Sequence, residues 1–353
     1  MKKRLEEYLS KIEPKDLEFG EKARKRQDNL TKPQGSLGRL EDISIEVASM
    51  TRSEKPTIDR KVNFVCAGDH GVASEGVSAF PQEVTVQMVY NFISGGAAIN
   101  VLAKNSGAEV VIGDFGIASK MDIDHPNYFD KKVGFGTKSF IKDRAMSKED
   151  AIKSILNGIE LFEEVNSKKR IDLVSIGEMG IANTTPATAI LSTITGESVE
   201  DITGRGSGIN DSSLLRKIEV IKEGLKLHNP DKNDGIDILS AIGGYEIGGM
   251  AGVVLAAAIY KIPVVIDGFI STSAALIAQK LSPLVTDYII ASHSSVEHGH
   301  IKMLDQLGKK PLFDLNLRLG EGTGAVLAMN IVEGAVRTLS EMATFEEASV
   351  SNR

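Results

Sequence analysis

Two glutamates in this sequence have surroundings that suggest acid–base chemistry. Glu321 lies in residues 318–325, RLGEGTGA, with a glycine on each side, and Glu178 lies in the segment GEMG that begins at Gly177. Glycine lowers helix stability, so helix propensity does not explain this pattern, whereas the close approach of a ligand would. The alternative is a helix N-terminus, where the dipole and capping favour a carboxylate. We predict that Glu321 is a general base and that Glu178 is a second catalytic carboxylate.

Glycines and hydroxyl side chains elsewhere indicate a phosphate site. Residues 177–186, GEMGIANTTP, place two glycines before a helical stretch, and free N–H groups at a helix N-terminus bind anions. A second glycine-rich turn, residues 204–208 (GRGSG), precedes a lysine on the next helix, although a flexible turn would explain it if it stood alone. The residues predicted to bind substrate through this site are Gly177, Gly180, Asn183, Thr184, Thr185, Gly204, Arg205, Gly206, Lys217 and Ser295.

The common nucleotide motifs are missing from the chain. It has neither a Walker A motif nor a GxGxxG segment after its first predicted strand. Both motifs use glycines to bring backbone amides close to phosphates, so their absence disfavours triphosphate and dinucleotide ligands. A mononucleotide or a sugar phosphate is therefore the predicted class of ligand.

Short β-branched runs alternate with helix-length segments from residue 61 onward. Continuous apolar runs spaced in this way predict a Rossmann-like, mostly parallel α/β sheet with helices on both faces. Residues 143–166 and 211–228 are predicted to be crossover helices. The strand candidates are residues 62–67, 110–114, 173–176, 238–242, 264–266 and 288–291, with a weaker one at 313–317.

Small, polar turns follow six of these strand candidates. Because the carboxyl ends of parallel strands meet at one edge of a sheet, we expect these turns to form a ligand cleft there. The turns are residues 68–71 (GDHG), 114–116 (DFG), 177–180 (GEMG), 243–246 (GGYE), 267–268 (DG) and 292–295 (SHSS).

Both ends of the chain have helical spacing of apolar residues. The N-terminal helices are predicted near residues 5–12, 18–30 and 37–50, with a break at residues 31–36, and the C-terminal helix at residues 321–341. We therefore predict a small helical domain formed by residues 1–58 with 321–353. Residues 59–320 would form the large α/β substrate-binding domain.

Composition and charge exclude several classes of protein. The net charge of −7, with no dense basic run, disfavours nucleic-acid binding. The lone Cys66 excludes an intrachain disulfide and a thiolate zinc site, which suits a reducing cytoplasm. The N-terminus MKKRLEEYLS lacks the apolar core of a signal peptide, and the apolar run at residues 250–260 is too short to span a bilayer. We expect a cytoplasmic protein that contacts neither nucleic acid nor membrane.

Taken together, these segments resemble one family, the nicotinate-nucleotide–dimethylbenzimidazole phosphoribosyltransferases. The similarity extends nearly from end to end, and the combination of segments is specific although each one alone is weak. The resemblance implies a Rossmann-like fold with a small helical domain, a homodimer, and no metal or other cofactor. The matching segments are residues 32–41 (KPQGSLGRLE), 67–72 (AGDHGV), 177–186, 234–237 (DGID), 267–271 (DGFIS), 292–293 (SH) and 318–325.

The resemblance also implies an activity. Members transfer phosphoribose from nicotinate mononucleotide to a benzimidazole, which gives α-ribazole 5′-phosphate and nicotinate. The family's catalytic glutamate in RLGEG corresponds to Glu321, and that of its GExGxxNTTP stretch corresponds to Glu178. Its phosphate contacts correspond to residues 177–185, residues 204–208, Lys217 and the loop at Ser295. The remaining substrate-binding positions, some in the acceptor pocket, are Phe80, Met88, Met179 and Leu319.

This chemistry agrees with the residues. Nicotinate leaves a pyridinium nucleotide as a good leaving group, so no general acid is required. The ring nitrogen of the acceptor must lose a proton as it attacks the anomeric carbon, and a positioned carboxylate can accept that proton and stabilise oxocarbenium-like charge. Attack from the opposite face inverts the β configuration to α.

Two other functions remain open at this point. The cluster His293, Glu297, His298 and His300, with Asp69 and His70 nearby, would suit a metal-dependent phosphohydrolase, although no HExxH spacing occurs. A non-catalytic nucleotide-binding protein is the second alternative. The sequence does not identify the natural acceptor among benzimidazoles, purines and phenols.

Overall fold

A parallel β-sheet lies at the centre of the structure, a computed structural model that describes residues 1–351. Among residues 1–351 the sheet has six strands, and every pair of neighbouring strands is parallel. The strands are β1 (Lys61–Gly68), β2 (Ala108–Gly116), β3 (Tyr128–Asp130), β4 (Leu173–Met179), β5 (Val264–Ile266) and β6 (Ile289–Ala291).

The strand order is β3-β2-β1-β4-β5-β6, so the chain builds outward from β1 in one direction and then in the other. The order reverses between β1 and β4, and this switch point is where open α/β sheets bind ligands. Every residue of β1 is buried, and its register pairs Val65 with Gly177 and Cys66 with Glu178. The predicted parallel sheet is confirmed.

Helices cover both faces of the sheet. Helices α6 (Lys148–Lys168) and α11 (Tyr245–Ile259) pack on each other, and α11 also packs on β1 and β2. Helices α4 (Glu83–Ile93), α5 (Ala98–Ser106) and α14 (Thr323–Glu341) cover the opposite face. The backbones of α6 and α11 approach closely, since a Cβ added at Gly158 would lie 2.1 Å from the carbonyl oxygen of Gly249. The helices are α1 (Lys2–Leu9), α2 (Leu17–Asn29), α3 (Arg39–Thr51), α4 (Glu83–Ile93), α5 (Ala98–Ser106), α6 (Lys148–Lys168), α7 (Thr184–Thr195), α8 (Val199–Ile202), α9 (Asp211–His228), α10 (Gly235–Ile242), α11 (Tyr245–Ile259), α12 (Phe269–Leu281), α13 (His300–Leu307) and α14 (Thr323–Glu341).

One predicted strand is wrong. Residues 238–242 belong to α10, which Asp234 caps by accepting hydrogen bonds from the backbone N–H groups of Ile236 (2.9 Å) and Asp237 (3.1 Å). A short buried apolar run is compatible with either a helix or a strand, and the cap decides between them. The turn at residues 243–246 therefore connects two helices instead of following a strand.

The weaker strand predicted at residues 313–317 is also not formed, and the other elements agree with the predictions apart from their ends. Residues 288–291 shorten to β6 because Tyr288 ends a 3₁₀ helix (Pro283–Tyr288), and residues 313–317 contribute only an isolated bridge between Phe313 and His293. The edge strand β3 is additional. The predicted helix at 143–166 begins at Lys148, after the cap Ser147, and the helix at 321–341 begins at Thr323.

The two ends of the chain pack against each other. Helices α2 and α3 contact each other and α14, and Leu30 forms a bridge with Thr344. Helix α14 also packs against β4 and β5 of the sheet. The division into a small domain of residues 1–58 with 321–353 stays a prediction, and residues 352–353 lie outside the described part.

One segment, Glu83–Ser106, is long and apolar enough to cross a membrane by length and composition alone. In the structure it consists of α4 and α5, separated by a turn at residues 94–97. Both helices pack on the sheet, α4 against β1 and β4 and α5 against β2.

Candidate active site

A cavity of about 530 Å³ lies at the carboxyl ends of β4, β5 and β6, beside the switch point. Another cavity, of about 790 Å³ between α2 and residues 344–350, contains none of the predicted site residues. Those that line the cavity at the sheet edge are Phe80, Met88, Glu178, Met179, Gly180, Asn183, Thr184, Gly206, Ser295, Leu319 and Glu321.

Glu321 lies at the tip of a loop with an unusual backbone. Its φ angle is +63°, and the φ angles of Gly320 and Gly322 are +88° and +92°, so three consecutive residues are left-handed. A glutamate pays roughly 1–2 kcal/mol for this conformation. The flanking glycines are therefore required by the backbone, and Glu321 precedes α14 instead of starting it.

Side chains from the sheet and from the turn after β5 hold this loop in place. The Asp267 carboxylate accepts hydrogen bonds from the N–H groups of Gly322 (3.2 Å) and Ala325 (2.9 Å). From β1, the Asn63 amide donates to the Glu321 carbonyl (3.2 Å), and a Cβ at Gly322 would lie 2.3 Å from its Oδ1. The surrounding fold thus offsets the strain that the loop contains.

The Glu321 carboxylate lies against the first turn of α5. Its Oε2 accepts a hydrogen bond of 3.2 Å from the N–H of Ile99. The N-cap residue of this helix, Ala97, has no side-chain acceptor, so Glu321 satisfies this N–H in its place. Burial raises the pKa of Glu321, and the Ile99 N–H partly opposes that rise while Asp267 adds to it. A carboxylate whose pKa lies nearer to neutrality is a stronger base for a ring N–H.

Glu178 is buried at the end of β4, next to the Glu321 loop. The Asn183 side chain donates to its Oε2, and a Cβ at Gly320 would lie 2.1 Å from its Oε1. Burial raises the pKa of Glu178 to about 8; the Asn183 hydrogen bond opposes this rise, and Glu246 and other carboxylates add to it. Glu178 is therefore mostly protonated at neutral pH, and it is not the cap of a helix.

Lys217 and the start of α7 form a cationic end of the site. Lys217, which is 1% exposed, donates from Nζ to the Thr184 hydroxyl (2.7 Å) and to the Gly204 carbonyl (3.2 Å). A Cβ at Gly206 would lie 3.5 Å from Nζ and 2.8 Å from the Thr184 Oγ1. Burial lowers the pKa of Lys217 to about 8, and Glu297 opposes this shift. A buried ammonium, a hydroxyl and a helix N-terminus together suit a phosphate.

The other end of the cavity is apolar. Phe80 and Leu319 are 52% and 57% exposed, and Met88 and Phe269 also line this cavity. Exposed aromatic and aliphatic side chains around a cavity suit a flat, apolar ring. The arrangement can therefore hold a phosphate at one end and a heterocycle at the other, with Glu321 and Glu178 in the wall.

Comparisons with known proteins agree with this geometry. A family model described as phosphoribosyltransferase matches residues 12–350. A protein from Desulforamulus reducens named nicotinate-nucleotide–dimethylbenzimidazole phosphoribosyltransferase is 55% identical over 348 residues, which cover 98% of this chain and 99% of that protein. The chain belongs to this phosphoribosyltransferase family.

Further relatives of the family carry the same name. One from Chloroflexus aggregans is 52% identical over 349 residues, 99% of this chain and 98% of that protein. A crystal structure of the Thermus thermophilus member has a TM-score of 0.90 and 40% sequence identity, and it covers 96% of this chain and 100% of its own. Both the predicted family and the predicted α/β fold are confirmed.

Five of the residues predicted for this phosphoribosyltransferase do not line the cavity. Gly177 admits the loop behind it, because a Cβ there would lie 2.2 Å from the Glu321 carbonyl oxygen, and Gly204 lies against Glu297. The Arg205 side chain points away from the cavity and forms an ion pair with Asp211. Lys217 lies behind Thr184, as seen from the cavity, and donates a hydrogen bond to its hydroxyl. Thr185 is fully buried. Direct contact with substrate remains a prediction for Lys217 and is not favoured by the positions of the other four.

Sequence reasoning missed several residues that line the cavity of this family member. Asp267 and His293 follow β5 and β6, and Arg318 begins the RLGEG segment. The turns that contain them were recognisable, but nothing local showed which side chains face the cavity. Of these three residues, Asp267 has the clearest structural role, because its carboxylate accepts two backbone hydrogen bonds that anchor the Glu321 loop.

The histidine cluster proposed for a metal is not assembled. In residues 1–351, no group of three or more His, Cys, Asp or Glu side chains is placed to hold a metal ion. His300 is buried, where its Nδ1 accepts from the Ser295 N–H (2.9 Å) and its Nε2 contacts the Thr272 hydroxyl (3.0 Å). His300 is therefore a structural residue, and membership of the phosphoribosyltransferase family disfavours the phosphohydrolase alternative.

Proposed function

We propose that this chain transfers the 5-phosphoribosyl group of nicotinate mononucleotide to 5,6-dimethylbenzimidazole or a related base, which gives α-ribazole 5′-phosphate and nicotinate. The observation that carries the proposal is the position of Glu321 in the wall of a cavity that is cationic at one end and apolar at the other. The names of the relatives support the choice of substrates.

The proposed reaction is a single displacement at the anomeric carbon. The bond from C1′ to the nicotinate nitrogen breaks, and its electron pair leaves with nicotinate. The imine-type ring nitrogen of the benzimidazole forms the new bond to C1′ from the opposite face, and the proton of the other ring nitrogen passes to the Glu321 carboxylate. The base contributes by removing that proton, typically about 10²–10⁴-fold in rate.

Glu178 has a different part in this proposal. Because its pKa is raised to about 8, Glu178 is mostly neutral at pH 7 and can donate a hydrogen bond to a ribose oxygen. Two ionised carboxylates beside each other would repel, so a neutral Glu178 leaves Glu321 as the carboxylate that accepts the proton.

Three further features are part of the proposal. A homodimer is expected from the family resemblance, and light scattering on the purified protein tests it. A cytoplasmic location is expected because the lone Cys66 is buried and unpaired, which suits a reducing compartment. A separate small domain is supported by the packing of α2 and α3 on α14, and limited proteolysis tests it.

The test of the activity is a chromatographic assay with nicotinate mononucleotide and one acceptor at a time. We expect nicotinate and an α-linked nucleotide to appear in equal amounts with 5,6-dimethylbenzimidazole, and we expect Glu321→Gln to form both far more slowly. Parallel reactions with a purine and a phenol define the acceptor class. Absence of nicotinate release with every acceptor would overturn the proposed function.

A further inference from the structure

A buried acid–imidazole pair lies behind the cavity and has no part in the mechanism above. The Nε2 of His70, which follows β1, is 2.7 Å from the Oε1 of Glu246, in the first turn of α11. The two side chains are 1% and 0% exposed. The other oxygen of Glu246, Oε2, has no hydrogen-bond partner among the described residues.

Three glycines from separate elements make room for this pair. A Cβ at Gly244 would lie 2.4 Å from the His70 ring and 2.5 Å from the Glu246 carboxylate. A Cβ at Gly68 would lie 3.0 Å from the Glu246 Oε2, and one at Gly180 would lie 3.3 Å from the His70 Nε2. A buried ion pair is weak evidence for stabilisation, because desolvation offsets its attraction. A space formed by three glycines for such a pair therefore favours a functional role.

The wall between this pair and the cavity is the turn at residues 180–183. A Cβ at Gly180 would lie 3.3 Å from the His70 Nε2 on one side and 3.4 Å from the Asn183 Nδ2 on the other. The same Nδ2 group donates to Glu178. Gly180 alone therefore separates the His70 ring from the Asn183 side-chain amide, which hydrogen-bonds to Glu178.

We propose that His70 and Glu246 form a positioning pair for Glu178: they support the turn at residues 180–183 from behind, and Glu246 places an acidic group behind Glu178, outside the cavity. The pair touches no substrate and acts through Asn183 and Glu178. Its effect on the protonation of Glu178 is independent of substrate, and only the catalytic consequence rests on the proposed function.

Three carboxylates and one neutral thiol face Glu178 from different elements. Glu246 faces it from α11, Asp267 from the end of β5, and Glu321 from the loop, and each raises its pKa. On β1, the Cys66 thiol is neutral because burial raises its pKa, and Glu246 and Glu178 raise it further. Unlike Asp267 and Glu321, Glu246 does not line the cavity. Water in the cavity therefore screens Glu246 least, and removing its charge should lower the pKa of Glu178.

The direct test is infrared titration of the resting protein without substrate. The C=O stretch of protonated Glu178 is identified by its loss in Glu178→Gln, and its midpoint is followed with pH. We expect Glu246→Gln to move that midpoint to lower pH by about one unit, because a neighbouring like charge has been removed. Glu246→Asp, which keeps the charge, should stay near wild type.

A matched control separates this effect from general damage. Asp114 is also fully buried beside a cation, Lys132, but it lies on β2 away from the cavity. Asp114→Asn should leave the Glu178 midpoint unchanged, whatever its melting temperature. An unchanged midpoint in Glu246→Gln, or an equal shift in Asp114→Asn, would overturn the inference.

Another variant keeps the inference testable if Glu246→Gln does not fold. His70→Gln retains a donor for Glu246 but removes the ring that packs against Gly180. The Glu178 midpoint should then move away from its wild-type value, and an unchanged midpoint would contradict the proposed role.

Turnover provides the second measurement. In the wild-type background, Glu246→Gln should shift the apparent pKa of kcat that reports the titration of Glu178. In the Glu178→Gln background, the same substitution should leave the pH profile of kcat unchanged. A shift of equal size in both backgrounds would show that the pair does not act through Glu178. If wild type released no nicotinate, the proposed function would fail while the infrared test would still decide the inference.

Discussion

Lys217→Met tests the cationic end of the site most directly. The Nζ of Lys217 contacts the Thr184 hydroxyl (2.7 Å) and the Gly204 carbonyl (3.2 Å), and the side chain is 1% exposed. Methionine keeps most of the buried volume and removes the ammonium. One charge-assisted hydrogen bond to phosphate is worth about 1.5–3 kcal/mol, so affinity for nicotinate mononucleotide should fall about 10- to 150-fold.

The pH dependence of nicotinate mononucleotide binding provides a second, independent test of Lys217. Burial lowers the pKa of Lys217 to about 8, so the ammonium of the free protein loses its proton as pH rises through this value. Affinity of wild type for nicotinate mononucleotide should therefore weaken between pH 7 and pH 9. In Lys217→Met this part of the pH dependence should vanish, because no group remains to titrate there.

Isothermal titration calorimetry at pH 7 and pH 9 measures both effects. Titration with 5,6-dimethylbenzimidazole is the matched control, since the acceptor carries no phosphate. Arg205→Met is a second control, because Arg205 points toward Asp211 and does not line the cavity. Equal losses of affinity for both ligands in Lys217→Met, or an equal loss in Arg205→Met, would refute the assignment of the phosphate site.

Three other variants test the remaining groups of the site. Glu321→Gln should lower turnover about 10²–10⁴-fold with nicotinate mononucleotide binding intact, and wild-type turnover should fall at acidic pH as Glu321 is protonated; substantial activity in the variant would contradict the general base. Glu178→Gln should lower turnover without changing the melting temperature, since Glu178 is mostly neutral at pH 7; a large loss of stability with turnover intact would make Glu178 structural. Gly322→Ala should lower both turnover and melting temperature, because its Cβ would lie 2.3 Å from the Asn63 Oδ1 at a φ of +92°, and wild-type values for both would show that the loop adapts.

Much of the fold could be predicted because its signals are local. The predicted helix at residues 211–228 matches α9 at both ends, since Asn210 caps its start and Asn229, in the left-handed conformation, ends it. Strands β1 and β4 are fully or nearly buried, so their apolar runs are continuous. Residues 238–242 misled because their apolar run is as short as a strand and fully buried in either form.

Part of the site was predictable for a different reason. Thr184 begins α7 just after β4, at the carboxyl edge where parallel strands bring their following turns together. Lys217, 33 residues later, meets it because α9 packs against α7. The same rule brought Glu178 and Asp267 to one cavity. This rule predicts which turns converge, but it does not predict which side chain of each turn points into the cavity.

The conformation of Glu321 had no local signal beyond its two glycines. Its carboxylate reaches the N–H of Ile99 and its backbone is held by Asn63, and these partners are 222 and 258 residues away in sequence. Glycine on both sides of Glu321 is compatible with a flexible tip, whereas the structure shows the opposite, a left-handed residue fixed from several sides. A base held in this way loses little freedom when the acceptor binds, which is the property that positioning requires of it. The same contacts leave the Glu321 loop little room for larger side chains: the Cβ of any residue placed at Gly320 would meet the Glu178 carboxylate, and one at Gly322 would meet Asn63.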